Sequence, residues 1–361
     1  MSSFYFGAEV ELQPQTCGVV VASLDEPGTA EENAIQFLGI RRITADELGI
    51  KRSKNGASFS YIDDGKRNIS RTNLKRIADL VIPPAWSDVR IATEKDAHLQ
   101  AVGRDAAGRL QYIYHPEWVE VRAAAKAFRL TQIGSVLGRL RTCIKRDLTE
   151  GTVDFPLAAA ARIVDLLHLR AGHEAYAGDE GGRGVSTLLK RHLKMDDDGF
   201  HLAFRGKGGK HIEKSCDDPL LIAALKELRA IPGVRLFKLK TSDGFRPMTA
   251  GDLNQYLAES SGKPITAKDF RTLFASSVAL DEFQSFESPS TTAVARRAIA
   301  AVARKISVEL ANTPAVTRKS YIHPRIIESF ERGELENAGD APRRRNLSLA
   351  ESRLMQFLRN S

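Results

Sequence analysis

The spacing of apolar and polar positions divides the chain. From about residue 37 to 117, apolar and aromatic stretches are short and cut by turn signals, as in "ASFSYIDDGKRNIS", "LVIPPAWSDVRIA" and "GRLQYIYHPEW". These predict strands. Asp64-Gly65 suggests a hairpin, Pro83-Pro84 rules out a central strand there, and "TNLKRIADL" suits a helix. After Trp118 apolar residues recur at three and four. "EWVEVRAAAKAFRLTQIGSVLGRLRTCIKRDL", "FPLAAAARIVDLLHLR", "DPLLIAALKELRAI", "TAGDLNQYLAESS", "TAKDFRTLFASSVALDEF" and "TTAVARRAIAAVARKISVELAN" all predict helices. An alternating stretch with glycine-rich turns over 194–215 interrupts them, with a β-hairpin near 199–214.

The expected fold class is α+β, with a β-rich domain over 37–117 and a larger, mostly helical domain over 118–337. A weakly patterned acidic extension occupies 1–36. A basic tail over 338–361 holds a capped helix, with Ser348 and Glu351 as its box.

At 361 residues and 42% hydrophobic content the chain can pack two domains. No apolar run has membrane-spanning length and no signal-peptide order opens the chain. Cys17, Cys143 and Cys216 are isolated, which suggests neither a disulfide framework nor a zinc site, and a reducing cytoplasm is the natural expectation. Net charge is +8, yet residues 1–40 carry six acids and no Lys or Arg, leaving +14 on the remainder. Such a surface suits a polyanion, nucleic acid being the commonest, although a merely soluble basic protein has the same charge.

The segment "LANTPAVTRKSYIHPR" gives the charge a purpose. Thr313 and Pro314 start a helix as N-cap and first helical residue, and Pro324 stops it at about His323. Tyr321 then falls in its last turn, between Lys319 and Arg325. A tyrosine attacking a DNA phosphodiester must lose a proton despite an ordinary pKa of about 10. Guanidinium forks must meet the charge on the non-bridging oxygens, and a lysine can protonate the departing sugar oxygen. No metal or other cofactor is required. Arg170 at the end of "ARIVDLLHLR", Lys207 in the turn "FRGKGGK", Arg271 in "AKDFRTLFAS" and Asn312 before the tyrosine helix are the candidates.

"LLHLRAGHEAYA", "FRGKGGK", "KDFRTLFAS" and "NTPAVTRKSYIHP", in this order, resemble the type IB DNA topoisomerases of the compact bacterial and poxvirus kind. "RIADLVIPPAWSDVRIATEKDAHLQAVGRDAAGRLQYIYHPEW" looks like that family's amino-terminal signature, so the resemblance spans about 38–335. It implies a C-shaped clamp around duplex DNA whose catalytic domain has the tyrosine recombinase/topoisomerase IB fold. The expected protein is a bacterial, nucleoid-associated monomer. It also implies a covalent Tyr321–3′-phosphate bond, a phosphate clamp of Arg170 and Arg271, and Lys207 as general acid. Asn312 stands where poxvirus members carry histidine, and its amide can donate the same hydrogen bond. Nine residues of straight helix would hold Asn312 and Tyr321 about 13 Å apart, so a break is expected between Ala315 and Ser320. The implied DNA contacts are Tyr112 and Tyr114 on one face of a strand, His173 and Tyr176 on a helix reading the major groove, and Lys210 and Lys268.

Other features have plainer explanations. "GKGGKH" lacks the spacing and Ser/Thr of a phosphate loop, and Asp196 to Asp198 before Gly199 read as a solvated turn. His323 beside Pro324 suits capping or packing. The run Arg343 to Arg345 touches DNA or is simply solvated. The rival functions are a tyrosine recombinase, a metal-dependent nuclease and a non-catalytic DNA-binding protein. Lys268 disfavours the first, because recombinases typically place histidine three residues before the second arginine.

Overall fold

A computed structural model describes residues 39–56, 58–64, 69–177, 181–335 and 341–359, without the side chains of 119–124, 126, 127 and 176. The 1–36 extension lies outside the described residues. Contacts divide the chain into two compact units that meet in sequence at Phe128 and Arg129.

The first unit is a five-stranded antiparallel sheet of order β2-β1-β3-β4-β5. The strands are β1 (Ile50–Asn55), β2 (Ser58–Asp63), β3 (Ser87–Ile91), β4 (Leu99–Arg104) and β5 (Leu110–Tyr114). One apolar cluster gathers Leu48, Leu99 and Val102; another gathers Ile50, Ile91 and Ala101 with Ile77 of helix α1 (Arg71–Asp79). Pro83 and Pro84 lie outside any strand, as expected, and Arg52 pins this segment through the carbonyls of Ile82, Pro83 and Trp86. The β1–β2 hairpin closes at the directly paired Asn55 and Ser58, with Gly56 at φ +61°; the hairpin expected at Asp64-Gly65 reaches residue 65, which lies outside the described residues. Asp64 closes the open end of the ribbon, with its N–H on Gly49 O at 2.8 Å and its carboxylate on Lys51 at 2.8 Å.

The second unit is mostly helical. It contains the later part of α2 (Pro116–Glu150), then α3 (Phe155–Leu167), α4 (Pro219–Ala230), α5 (Ala250–Ser261), α6 (Ala267–Gln284) and α7 (Thr292–Glu309). Three shorter helices follow: α8 (Pro314–Ser320), α9 (Pro324–Glu331) and α10 (Leu349–Arg359). A three-stranded sheet, β6 (Leu193–Met195), β7 (Phe200–Arg205) and β8 (His211–Cys216), contains the expected hairpin. A second hairpin, β9 (Lys238–Thr241) with β10 (Gly244–Pro247), had no counterpart in the sequence reading. The described residues are therefore α+β.

Helix α6 organises this unit. Its Asp269 caps it from within, accepting from the N–H and hydroxyl of Thr266 at 2.8 and 2.7 Å. Phe270, Leu273, Ala279, Leu280 and Phe283 are buried in the main core. Helix α10 begins with the expected box, Ser348 N–H donating to Glu351 at 2.7 Å and Glu351 N–H to Ser348 Oγ at 3.1 Å. Leu354 and Met355 then carry it into the core. Arg141 of α2 binds Asp165 of α3 and Glu351 of α10 at 2.7 and 2.8 Å. Removing Arg141 would strand two buried carboxylates, at a cost of about 3–5 kcal/mol.

Candidate active site

Three helix ends meet around Arg271. Helix α3 stops at Leu167 because His168 turns left-handed, φ +55°, and caps it through its N–H to Val164 O at 3.0 Å. Arg170 is therefore not the last residue of that helix, as the periodicity had suggested, but lies in the connector beyond it. Backbone bonds fix that connector, Val185 N–H to Arg170 O at 2.9 Å and Ser186 N–H to Ala171 O at 2.7 Å. Helix α7 ends in the same manner, with Leu310 as cap and Ala311 at φ +46°.

Arg271, on α6, is only 2% exposed. A buried cation needs compensation, and two helix ends supply it. One amino group donates to His168 O and the other to Leu310 O at 2.8 Å, the capping residues of α3 and α7. Burial still lowers its pKa to about 10. Its third donor, Nε, is buried and without a partner.

Tyr321 follows directly. It caps α8 at φ −126°, just outside the last turn in which it was expected, with its N–H on Thr317 O at 3.0 Å. The start of that helix is as expected: Thr313 Oγ1 accepts from Val316 N–H at 3.2 Å, and Pro314 stands at the first turn. The Arg271 guanidinium carbon lies 5.1 Å from the Tyr321 ring centroid. Burial raises the Tyr321 phenol, but the Arg271 guanidinium, followed by Arg170 and Lys268, outweighs it and holds the pKa below its ordinary value.

Asn312 joins this group through Arg170, whose guanidinium donates to its side-chain oxygen. Its carbonyl accepts from Lys210 Nζ at 2.6 Å, while its amide Nδ2 is buried with no partner. The expected break between Ala315 and Ser320 does not occur, since α8 runs unbroken through it. The chain turns earlier, at Ala311, so Asn312 precedes the helix and the straight-helix separation does not apply.

Ser276 was not foreseen. Fully buried on α6, it donates to Tyr321 O at 3.1 Å and accepts from His323 N–H at 3.0 Å. The helix that carries Arg271 thus also holds the backbone of the tyrosine. His168 was equally hidden: its carbonyl takes Arg271, its ring stacks on Phe274 at 3.8 Å, and burial lowers its pKa to about 4.

The remaining candidates fall elsewhere. Lys207 sits exposed at the β7–β8 turn and makes no hydrogen bond or ion pair with the tyrosine or the arginines. Lys268, also exposed, precedes Arg271 by one turn of α6. His173 caps a single 3-10 turn, Glu174–Tyr176, where a groove-reading helix was expected, and its ring accepts from Ala175 N–H at 3.2 Å. The Tyr176 side chain lies outside the description. In the first unit Tyr112 and Tyr114 do share one face of β5, their rings stacked with centroids 6.1 Å apart. His323 caps α9, accepting from Arg325 N–H at 3.2 Å. Asp196 closes its turn on the N–H groups of Asp198 and Gly199.

Comparison with known proteins gives the family. Residues 120–340 match the family model described as eukaryotic DNA topoisomerase I, catalytic core. Residues 58–105 match that of the bacterial DNA topoisomerase IB N-terminal domain. The chain is 29% identical to DNA topoisomerase 1B of Acanthamoeba polyphaga mimivirus, over 81% of this chain and 92% of the relative. It is 23% identical to DNA topoisomerase 1B of vaccinia virus (strain Copenhagen), over 63% and 71%. Buried arginine, linked amide and tyrosine all lie inside the larger matched region, and the chain belongs to the type IB DNA topoisomerase family.

Proposed function

We propose that Tyr321 is the nucleophile with which this topoisomerase cuts and reseals one strand of duplex DNA. The observation that carries the assignment is the buried Arg271 guanidinium 5.1 Å from the Tyr321 ring, with the phenol pKa drawn below its usual value. In the cleavage step a Tyr321 Oη–P bond forms as the P–O5′ bond breaks. The phenol gives up its proton to solvent water, and the Lys207 ammonium supplies one to the departing 5′ oxygen, which leaves as a hydroxyl. Arg170 and Arg271 meet the added charge on the non-bridging oxygens. The partnerless donors Arg271 Nε and Asn312 Nδ2 suit the same phosphate, since each would gain an acceptor it otherwise lacks.

A phosphotyrosine diester replaces a phosphodiester at nearly equal energy, so resealing needs no ATP. Torsion stored in the DNA drives rotation of the free 5′ end before the reaction reverses. In this reading the helical unit has the tyrosine recombinase/topoisomerase IB fold. With the β-rich unit it forms a C-shaped clamp, acting as a monomer on the bacterial nucleoid. Tyr112, Tyr114, His173, Tyr176, Lys210 and Lys268 contact DNA. The test is incubation of supercoiled plasmid without ATP or magnesium, using wild type and Tyr321→Phe. Relaxation by the first and none by the second, with DNA binding kept by both, is expected. Relaxation by the phenylalanine variant would refute the assignment.

A further inference from the structure

Among the described residues the Lys207 side chain makes no hydrogen bond or ion pair, yet its backbone is gripped from two sides. On one side the glycine segment 181–184 passes against the turn. Arg183 N–H donates to Arg205 O at 2.9 Å, and a Cβ on Gly182 would lie 2.7 Å from Lys207 Cα and 2.8 Å from Gly206 O. Real side chains do not approach so closely, so residue 182 must be glycine for space. Its φ is not in the left-handed region, so conformation makes no such demand. Two residues on, the same segment presses against the connector that carries Arg170. A Cβ on Gly184 would lie 2.5 Å from Arg170 O and 2.5 Å from Gly172 N. On the other side Lys210, three residues after Lys207, reaches across to Asn312 O at 2.6 Å. The turn between them is tight, with Gly206 N–H on Lys210 O at 2.7 Å and Gly209 N–H on Gly206 O at 3.0 Å.

We infer that Gly182 and Lys210 are positioning residues for Lys207. They anchor its turn to the Arg170 connector and to the Asn312 carbonyl, so that a flexible side chain starts from a point fixed relative to both. The inference rests on the general-acid assignment of Lys207. It gives Lys210 a task distinct from touching DNA, because its ammonium is bonded to the loop that precedes the nucleophile helix. A general acid misplaced by about 1 Å loses much of its effect, on the order of 100-fold.

The experiment compares single-turnover cleavage of an ordinary duplex with one whose scissile 5′ oxygen is replaced by sulfur. A thiolate leaves without being protonated, so it does not need the acid. Lys207→Ala is expected to slow the oxygen substrate by about 100-fold or more and the sulfur substrate little. Gly182→Ala and Lys210→Ala are expected to show the same selectivity at about 10- to 100-fold, with Lys210→Arg restoring most of the rate. Placed on top of Lys207→Ala, neither is expected to slow the oxygen substrate further. Thermal unfolding and DNA affinity accompany each variant, and Lys210→Ala carries the test should Gly182→Ala not fold. If Lys207→Ala slows both substrates equally, the acid assignment fails and this inference falls with it. If Lys207→Ala is selective while Gly182→Ala and Lys210→Ala slow both substrates alike or neither, only the positioning role is overturned.

Discussion

Two tyrosine settings in this chain put the same side chain to different uses. Tyr112 and Tyr114 stand on β5 with their rings stacked, Tyr112 being 46% exposed and free to offer a flat face. Tyr321 is 9% exposed, lies under a guanidinium, and has its backbone carbonyl tied to Ser276. Such an aromatic pair can lend contact area to a partner. A buried phenol would ordinarily become a weaker acid. Only the neighbouring cations reverse that, and the foremost of them, Arg271, is held there by two helix ends. Position in the fold, rather than residue type, separates the β5 tyrosines from the proposed nucleophile.

The contrast can be broken by substitution. Tyr321→Phe is expected to abolish relaxation, whereas Tyr112→Phe and Tyr114→Phe keep it. Arg271→Lys comes next, with a fall in cleavage rate of about 100- to 1000-fold. A lysine cannot hold both His168 O and Leu310 O while keeping charge over the ring. Asn312→Ala removes one donor to a charged group and is expected to cost about 10- to 100-fold, with Asn312→His recovering part of it. Tyr112→Ala with Tyr114→Ala should weaken DNA binding only a few-fold. The slope of log K against log salt should not change, because neither residue neutralises a phosphate. The smallest effect concerns His168. Its pKa of about 4 in the folded chain lies below the ordinary 6.5, so the folded state binds fewer protons between these values. The associated stability is present above about pH 6.5 and lost as pH falls towards 4. Unfolding free energies measured across that window should fall less steeply for His168→Asn, which also tolerates the left-handed cap.

What the sequence disclosed of this site was its local chemistry. Thr313, Pro314 and Pro324 act on residues a few positions away, so the short helix before Tyr321 was readable without the fold. The same holds for the Ser348–Glu351 box and for the alternation that makes β7 and β8. What stayed hidden depends on partners distant in sequence. His168 and Ala311 end their helices left-handed without glycine, because Arg271 waits on His168 O and Leu310 O. Arg170 therefore looked like the end of α3, and the geometric difficulty between Asn312 and Tyr321 was assigned to the wrong turn. Ser276 gave no signal, since a serine within an apolar helix reads as filler until its two backbone partners are known. For Gly182 and Gly184 the reason is space and not conformation, which composition cannot express.

The most direct measurement is to trap the protein on a duplex labelled at either end of the nicked strand, digest it, and identify the peptide that retains DNA. The account predicts a single link, from the Tyr321 oxygen to a 3′-phosphate, with a free 5′-hydroxyl on the other side of the break. A link at any other residue, or to a 5′-phosphate, would contradict it.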